Sequence, residues 1–380
     1  MDVQRGHVYC HECKDYLTND TLSSVWIQEA NDAYGTWTNQ PSTIVSPQQS
    51  EGRVVPCHGL RGLYNLGNTC FMNSILQAFL HNPLMTRYFL SAQHPHKTCI
   101  KHPSNALCLS CEMDKLFNHV YMDSNDPYGP TSLLHAIWMN STGSLAGYAQ
   151  QDAHEFFISA LDLLHESSSD ATLRNCRCFV HRIFKGELRS DVTCLRCGNV
   201  TTARDPILDI SLQVNDTSTH TLDDCLSKFT SEEQLGSRDY TCSNCSDIQQ
   251  ATKQISIDEL PLVLSFQFKR FEHSSQNRSK IETAIRIGQV LDMTPYTSAS
   301  VLHLRALGEP LKPLVGCRYK LFAVICHEGK LETGHYTAYV LHRNQWFYMD
   351  DHCVYTSSLQ AVFTSAVYMC FYIKEFMDYA

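Results

Sequence analysis

Two stretches of the chain place apolar residues at helical spacing. Met72, Ile75, Leu76, Phe79 and Leu80 fall at i, i+3, i+4, i+7 and i+8, which lines one face of a helix. Ala153, Phe156, Phe157, Ala160, Leu161 and Leu164 do the same. The first helix follows Gly67-Asn68-Thr69, where Asn68 or Thr69 suits the cap, so Cys70 falls in or beside the first turn. The second follows Asp152, with Glu155 three residues on, a variant of the capping box. A shorter helix is expected from Leu222 to Phe229. Elsewhere the pattern becomes alternating or continuously apolar. Ile207 to Val214 and Glu259 to Phe271 read as strands. Tyr319 to Ile325, Tyr336 to Leu341, Gln345 to Met349 and Ala366 to Ile373 read as an antiparallel sheet. Ser298 to Gly316 is irregular and reads as a loop or insertion. Asn39 to Gly52 is polar and Pro-containing, as a linker would be.

A chain of 380 residues can build a large core or two domains. Its formal charge of −9 argues against a broad basic surface for nucleic acid, and no direct nucleic-acid motif is present. No apolar run approaches a membrane span, and the first residues lack the layout of a signal peptide. The expected compartment is the nucleus or cytoplasm. Eighteen Cys and nineteen His then change the picture, because in a reducing compartment clustered Cys and His point to zinc.

Cys194-Leu-Arg-Cys197 and Cys242-Ser-Asn-Cys245 are paired knuckles with the ligand count of a closed tetrahedral site. Cys99, Cys108 and Cys111 need one His; His96 is preferred, with His94 and His102 open. Cys176, Cys178 and His181 supply three ligands, and His165 can return the fourth. Cys10-His-Glu-Cys13 lacks a second pair at finger spacing, although His7 or His11 lies beside it. Each cluster also has a plain alternative as buried or reduced thiols.

Gly62-Leu-Tyr-Asn-Leu-Gly-Asn-Thr-Cys-Phe-Met-Asn through Leu80 resembles the Cys box of the ubiquitin-specific proteases. Gln150-Gln-Asp-Ala-His-Glu-Phe156, Gly334-His-Tyr-Thr-Ala-Tyr339 and Gln345-Trp-Phe-Tyr-Met-Asp-Asp351 follow in that family's order. The resemblance runs from about Leu60 to the C-terminus. It implies an α+β, papain-like fold with thumb, palm and zinc-pinned fingers over 54–380. Residues 1–53 then resemble a partial ubiquitin-binding zinc finger and a linker, with Cys10 and Cys13 as remnant ligands.

The resemblance also implies roles. Cys70 would be the nucleophile and His335 its base. Asp350 would orient His335, with Asp351 as the neighbouring alternative. Asn65 would donate to the oxyanion. Gln150, Gln151, Asp152, Glu155 and Tyr336 would bind ubiquitin, the two acids pairing with arginines of its tail. The extra Cys/His clusters resemble the histone-deubiquitinating member of the SAGA coactivator. That implies a ubiquitinated histone, SAGA-type adaptor subunits, structural zinc and no catalytic metal. Two other readings stand beside it: a zinc-stabilised ubiquitin-binding scaffold without turnover, and a papain-like peptidase acting on ordinary peptides.

Overall fold

The structure, a computed structural model, describes residues 8–10, 15–17, 58–94, 99, 107–122, 126–140, 150–168, 171, 176–214, 220–236, 239–271, 280–330 and 333–375. Near the start, β1 (Val8–Cys10) and β2 (Asp15–Leu17) pair antiparallel. Cys13 and the expected linker lie outside the described residues.

A helical lobe follows, built from α1 (Cys70–Leu80), α2 (Pro83–Leu90), α3 (Leu109–Tyr121), α4 (Thr131–Asn140), α5 (Ala153–Glu166) and α6 (Phe179–Phe184). The periodicity expected one apolar face for α1, but all of its residues are buried. Its polar side chains each donate to a backbone carbonyl, although Asn73 Oδ1 and Gln77 Oε1 are buried without a partner. Gln77 donates to the Arg61 carbonyl at 2.8 Å, Ser74 to the Phe71 carbonyl at 3.0 Å, and Asn73 to the Leu63 carbonyl at 3.3 Å. The segment 61–65 therefore wraps the helix and accepts from Gln77 and Asn73. Apolar side chains of α1 share one core with Phe156, Phe157, Phe322, Ala323, Ala338 and Val340. Burying each Phe, Leu or Ile contributes about 1.5–3 kcal/mol, so this core joins the helical lobe to the sheet behind it.

The chain then rises through β3 (Gly186–Cys194) and β4 (Val200–Ile207), and continues through β5 (Ile210–Gln213), β6 (His220–Thr221) and α7 (Leu222–Phe229). Next come β7 (Glu232–Gln234), β8 (Thr241–Cys242), β9 (Asp247–Ile248) and β10 (Ala251–Glu259). One sheet runs β4-β3-β10-β7, and β8 pairs with β9 beside its tip. The helix expected over 222–229 forms there, closed by a Thr221–Asp224 capping box. The strand expected over 207–214 is split between β4 and β5.

The last part holds β11 (Val263–Lys269), β12 (Ile285–Arg286), β13 (Val290–Asp292), α8 (Ser298–Leu307), β14 (Arg318–Glu328), β15 (His335–His342), β16 (Gln345–Asp350), β17 (Cys353–Ser357), α9 (Leu359–Phe363) and β18 (Val367–Lys374); β12 pairs with β6, and the other strands join the larger sheet. The strand order is β17-β16-β15-β14-β18-β11-β5, with β13 on β14. The expected loop over 298–316 contains α8. Thr297 caps that helix by accepting from Ser300, and Gly308 ends it at φ 72°. Leu302, Leu304 and Leu307 on α8 are exposed, so the helix has no single apolar face for a periodicity reading to find.

Gly62 lets the wrapping segment touch the turn between β16 and β17. A Cβ there would stand 2.2 Å from the His352 carbonyl oxygen, and Leu63 N–H donates to the Asp351 carbonyl at 2.8 Å. Gly62→Ala is expected to lose about 1–3 kcal/mol of stability, the usual cost of overpacking. A shift of the denaturant midpoint against wild type measures it, and an unchanged midpoint would show that the turn gives way freely.

Candidate active site

Cys70 opens α1 and is 2% exposed. Thr69 occupies the cap position without a side-chain cap bond; its hydroxyl accepts instead from Leu66 N–H at 2.9 Å. The Cys70 thiol lies against backbone N–H groups of Phe71 and Cys70 and against the backbone of Tyr336. Tyr336 follows His335 at the start of β15. Burial pushes the thiol up; the backbone hydrogen bonds oppose it, and the Asp351 charge adds to the rise. A helix terminus favours a thiolate, but desolvation outweighs the helix dipole here.

His335 Nε2 is 2.7 Å from Asp350 Oδ1, and both side chains are about two-fifths exposed, at 44% and 39%. This bond occupies Nε2 and leaves Nδ1 as the other ring nitrogen. Asp351 does a different job. Its Oδ2 accepts from Asn65 Nδ2 at 2.9 Å and its Oδ1 from Asn73 Nδ2 at 2.8 Å. Asn65 also folds its own loop, since its Oδ1 accepts from the N–H groups of Gly67 at 3.0 Å and Thr69 at 3.1 Å. One of its two amide hydrogens is thus committed to Asp351. Asn73 was missed in the sequence, where it looked like an ordinary polar position on a helix.

Beyond His335 a polar circuit crosses the sheet. Asp152 caps α5 by accepting from His154 N–H at 2.7 Å, and both its oxygens accept from the Tyr368 hydroxyl at 2.7 Å. Gln267 Nε2 donates to that hydroxyl at 2.9 Å, and Ser211 donates to Gln267 Oε1 at 2.7 Å. Ser211 Oγ also lies 3.2 Å from Asp209 Oδ2, which is 2.9 Å from His154 Nε2. The circuit therefore begins and ends on the first turn of α5. Tyr336 is buried beside it, its ring 5.7 Å from Tyr368, and burial with the Asp152 charge raises its hydroxyl. Glu155 is exposed on the next turn position, and Gln151 precedes Asp152 half-buried. Tyr368, Gln267 and Asp209 gave no sequence signal, because each is an isolated polar atom on an element defined by its apolar pattern.

Gln150 reaches across to the strand of His335. Its Nε2 donates to the Gly334 carbonyl at 2.9 Å, and Gly334 N–H donates back to Oε1 at 3.0 Å. On the other side of Gly334, a Cβ would meet His327 Nε2 at 2.1 Å. Gly334 is thus seated between an amide clasp and a buried imidazole, directly before His335.

Among the described residues three Cys/His clusters could hold a metal ion: His94, Cys99, Cys108 and Cys111; His165, Cys176, Cys178 and His181; Cys194, Cys197, Cys242 and Cys245; a fourth group of close donor atoms, His335, Asp350 and Asp351, is the site just described. In each, the ligand atoms lie within 4.8 Å of one another. The first cluster takes His94, where the sequence reading preferred His96, which lies outside the described residues. His94 Nε2 stands 3.3 Å from Cys111 Sγ.

A cysteine at a helix start, set against a strand that carries an imidazole hydrogen-bonded to a carboxylate, is the layout of a papain-like thiol hydrolase. Residues 61–372 match the ubiquitin carboxyl-terminal hydrolase family, cysteine-type deubiquitinases, and the chain belongs to it. Ubiquitin carboxyl-terminal hydrolase 22 of Homo sapiens is 38% identical over 428 residues, covering 100% of this chain and 80% of that protein. Ubiquitin carboxyl-terminal hydrolase nonstop of Drosophila melanogaster is 37% identical over 433 residues, covering 100% and 83%. The solved SAGA Ubp8/Sgf11/Sus1/Sgf73 DUB module bound to ubiquitin aldehyde matches with a TM-score of 0.75 at 33% identity. It covers 99% of this chain and 80% of that one. These likenesses bear out the family resemblance, the fold class and the deubiquitinase activity. Among the described residues no helix is long and apolar enough to cross a membrane.

A thiol is charged above its pKa, so the raised Cys70 value means less thiolate at neutral pH than a free cysteine carries. Alkylation of Cys70 by iodoacetamide, followed by peptide mass, is expected to reach half its maximal rate above the ordinary thiol pKa of about 8.5. A plateau already reached at pH 7 would mean that the resting thiol is ionised.

Proposed function

We propose that this chain removes monoubiquitin from a nucleosomal histone, in the nucleus, as the catalytic subunit of a SAGA-type assembly. The observation that carries the chemistry is the 2.7 Å bond between His335 Nε2 and Asp350, on the strand whose next residue meets the Cys70 thiol. Cys70 is the nucleophile, and His335 Nδ1 takes its proton. The sulfur attacks the carbonyl of the last ubiquitin glycine, and the C–N bond to the lysine breaks. His335 returns the proton to the leaving amine, and water then hydrolyses the thioester. Asp350 holds the tautomer through Nε2. The free amide hydrogen of Asn65 and the Cys70 N–H stabilise the oxyanion, a contact whose loss typically costs about 100-fold or more.

The ubiquitin tail lies over the polar circuit. Its arginines pair with Asp152 and Glu155, Gln150 and Gln151 border the channel, and Tyr336 walls it. The adaptors are supported by likeness to the solved SAGA Ubp8/Sgf11/Sus1/Sgf73 DUB module bound to ubiquitin aldehyde. Residues 54–380 form the catalytic domain. Residues 1–53, which include Cys10 and Cys13, are assigned to the partial finger and linker.

The Cys/His clusters hold structural zinc. Zn–S near 2.3 Å and Zn–N near 2.0 Å in a tetrahedron put ligand atoms roughly 3.5–3.8 Å apart. His94 Nε2 to Cys111 and Cys108 measures 3.3 and 3.5 Å. His165 Nδ1 to Cys178 and Cys176 measures 3.4 and 3.7 Å, and Cys197 to Cys242 measures 3.6 Å. His181 Nδ1 is buried with no hydrogen-bond partner, which an ion would satisfy. Four protein ligands leave no open position, so these ions brace loops. Metal analysis of the purified chain is expected to return at least one zinc for each of the three clusters. Cys242→Ser is expected to remove one of them, and unchanged zinc content would overturn the assignment.

A scaffold without turnover is the second reading, favoured by the raised Cys70 thiol, which leaves the resting nucleophile uncharged. Ubiquitin carrying a C-terminal electrophile separates the two. A covalent adduct on wild type and none on Cys70→Ala supports the hydrolase. No adduct on the zinc-loaded chain, alone or with adaptor subunits, supports the scaffold. Asp350→Asn is expected to slow turnover more than Asp351→Asn; the reverse would exchange their roles.

A further inference from the structure

Tyr64 and His352 are both exposed, and their rings stack with centroids 6.0 Å apart and planes 17° apart. The pair is mounted on the catalytic machinery from both sides. Tyr64 precedes Asn65, and His352 follows Asp351. Tyr64 N–H donates to the Tyr128 carbonyl at 2.8 Å, and its own carbonyl accepts from Asn73 Nδ2 at 3.3 Å. The Gly62 backbone presses against the His352 carbonyl, where no side chain fits. An exposed aromatic ring on so fixed a backbone gives up little freedom when something lands on it.

Sheet order says what would land there. β15, which carries His335, has β14, β18, β11 and β5 on one side and β16 and β17 on the other. The Asp152–Tyr368–Gln267–Ser211 circuit occupies the first side. Tyr64 and His352 stand over the β16–β17 turn on the second. A chain whose scissile bond sits at Cys70 must leave the cleft on both sides of β15. With the ubiquitin tail over the polar circuit, as proposed above, the segment bearing the modified lysine crosses the β16–β17 turn.

The chemistry of that rim favours a cation. Asp350 is 39% exposed, and Asp351 is half-buried beside it. Among the described residues neither carboxylate pairs with a lysine or arginine. An aromatic face next to two such carboxylates attracts ammonium and guanidinium groups.

We propose that Tyr64 and His352, with the Asp350–Asp351 rim, form an acceptor subsite that takes a lysine or arginine neighbouring the ubiquitinated lysine. It rests on the hydrolase reading and adds substrate selection to it. The ring binds the acceptor cation and touches no reacting atom, so it governs which conjugates are cut and leaves the rate of the chemical step alone.

Three substrates test this on the full chain. One is ubiquitin joined to an aminocoumarin, which has no acceptor peptide. The others are ubiquitin linked to the lysine of a short peptide flanked by arginines, and of the same peptide flanked by glutamates. Wild type is expected to prefer the arginine peptide, and the preference should shrink as salt rises. Tyr64→Ala should lower kcat/KM on that peptide about two- to fivefold, the yield of an exposed cation–π contact. Coumarin release should stay within about twofold, and Tyr64→Phe should keep the preference because the ring face survives. An equal fall on all three substrates would make Tyr64 a mere support of the turn and overturn the subsite. Coumarin release by wild type without any peptide preference would overturn it too, while leaving the hydrolase intact.

Discussion

Asp351 holds the two lobes in register. Its carboxylate takes one hydrogen bond from Asn65 in the loop before α1 and one from Asn73 inside α1. Its carbonyl takes a third from Leu63. The residue stands at a turn with φ 48°, a conformation few non-glycine residues adopt and Asp tolerates better than most. A hydrogen bond to a charged group is typically worth about 1.5–3 kcal/mol, so these contacts can offset that backbone strain. The adjacent Asp350 is thereby delivered to His335, and the start of α1 is held against β15. Two consecutive acids thus divide the work: one orients the imidazole, and the other fixes the frame that the first depends on.

Burial and activation are opposed at Cys70. The same packing that joins α1 to the sheet removes water from the thiol and disfavours its anion. The helix terminus cannot reverse this while Asp351 adds negative charge nearby. The His335–Asp350 pair is open to solvent on its far side. Closing that side with substrate or another subunit would strengthen each electrostatic contact within it, since the local dielectric falls.

Local pattern revealed the elements and much of the chemistry. The helix starting at Cys70, the Asp152 cap and the four-cysteine cluster were legible because each is set by neighbours in sequence or by tight spacing. Asn73, Tyr368 and Gln267 were not, because their meaning comes from atoms 278, 216 and 101 residues away. Spacing alone left His94, His96 and His102 open; His94 is brought to Cys108 and Cys111 by contacts 14 and 17 residues apart in sequence. The α8 helix hid because its exposed leucines break the amphipathic period, although Thr297 and Gly308 marked both its ends.

The circuit through Asp152 has a thermodynamic meaning of its own. Both Asp152 carboxylate oxygens share the Tyr368 hydroxyl, and that hydroxyl accepts from Gln267. An arginine of the proposed ubiquitin tail would therefore exchange one hydrogen-bonded state for another, and gain only the difference between them. On that proposal the site would hold a matching tail loosely enough to release it after cleavage. A tail without the cation would displace water and hydroxyl contacts for nothing in return. Discrimination would then come from exchange, and the affinity for ubiquitin would be left to the larger surfaces around it.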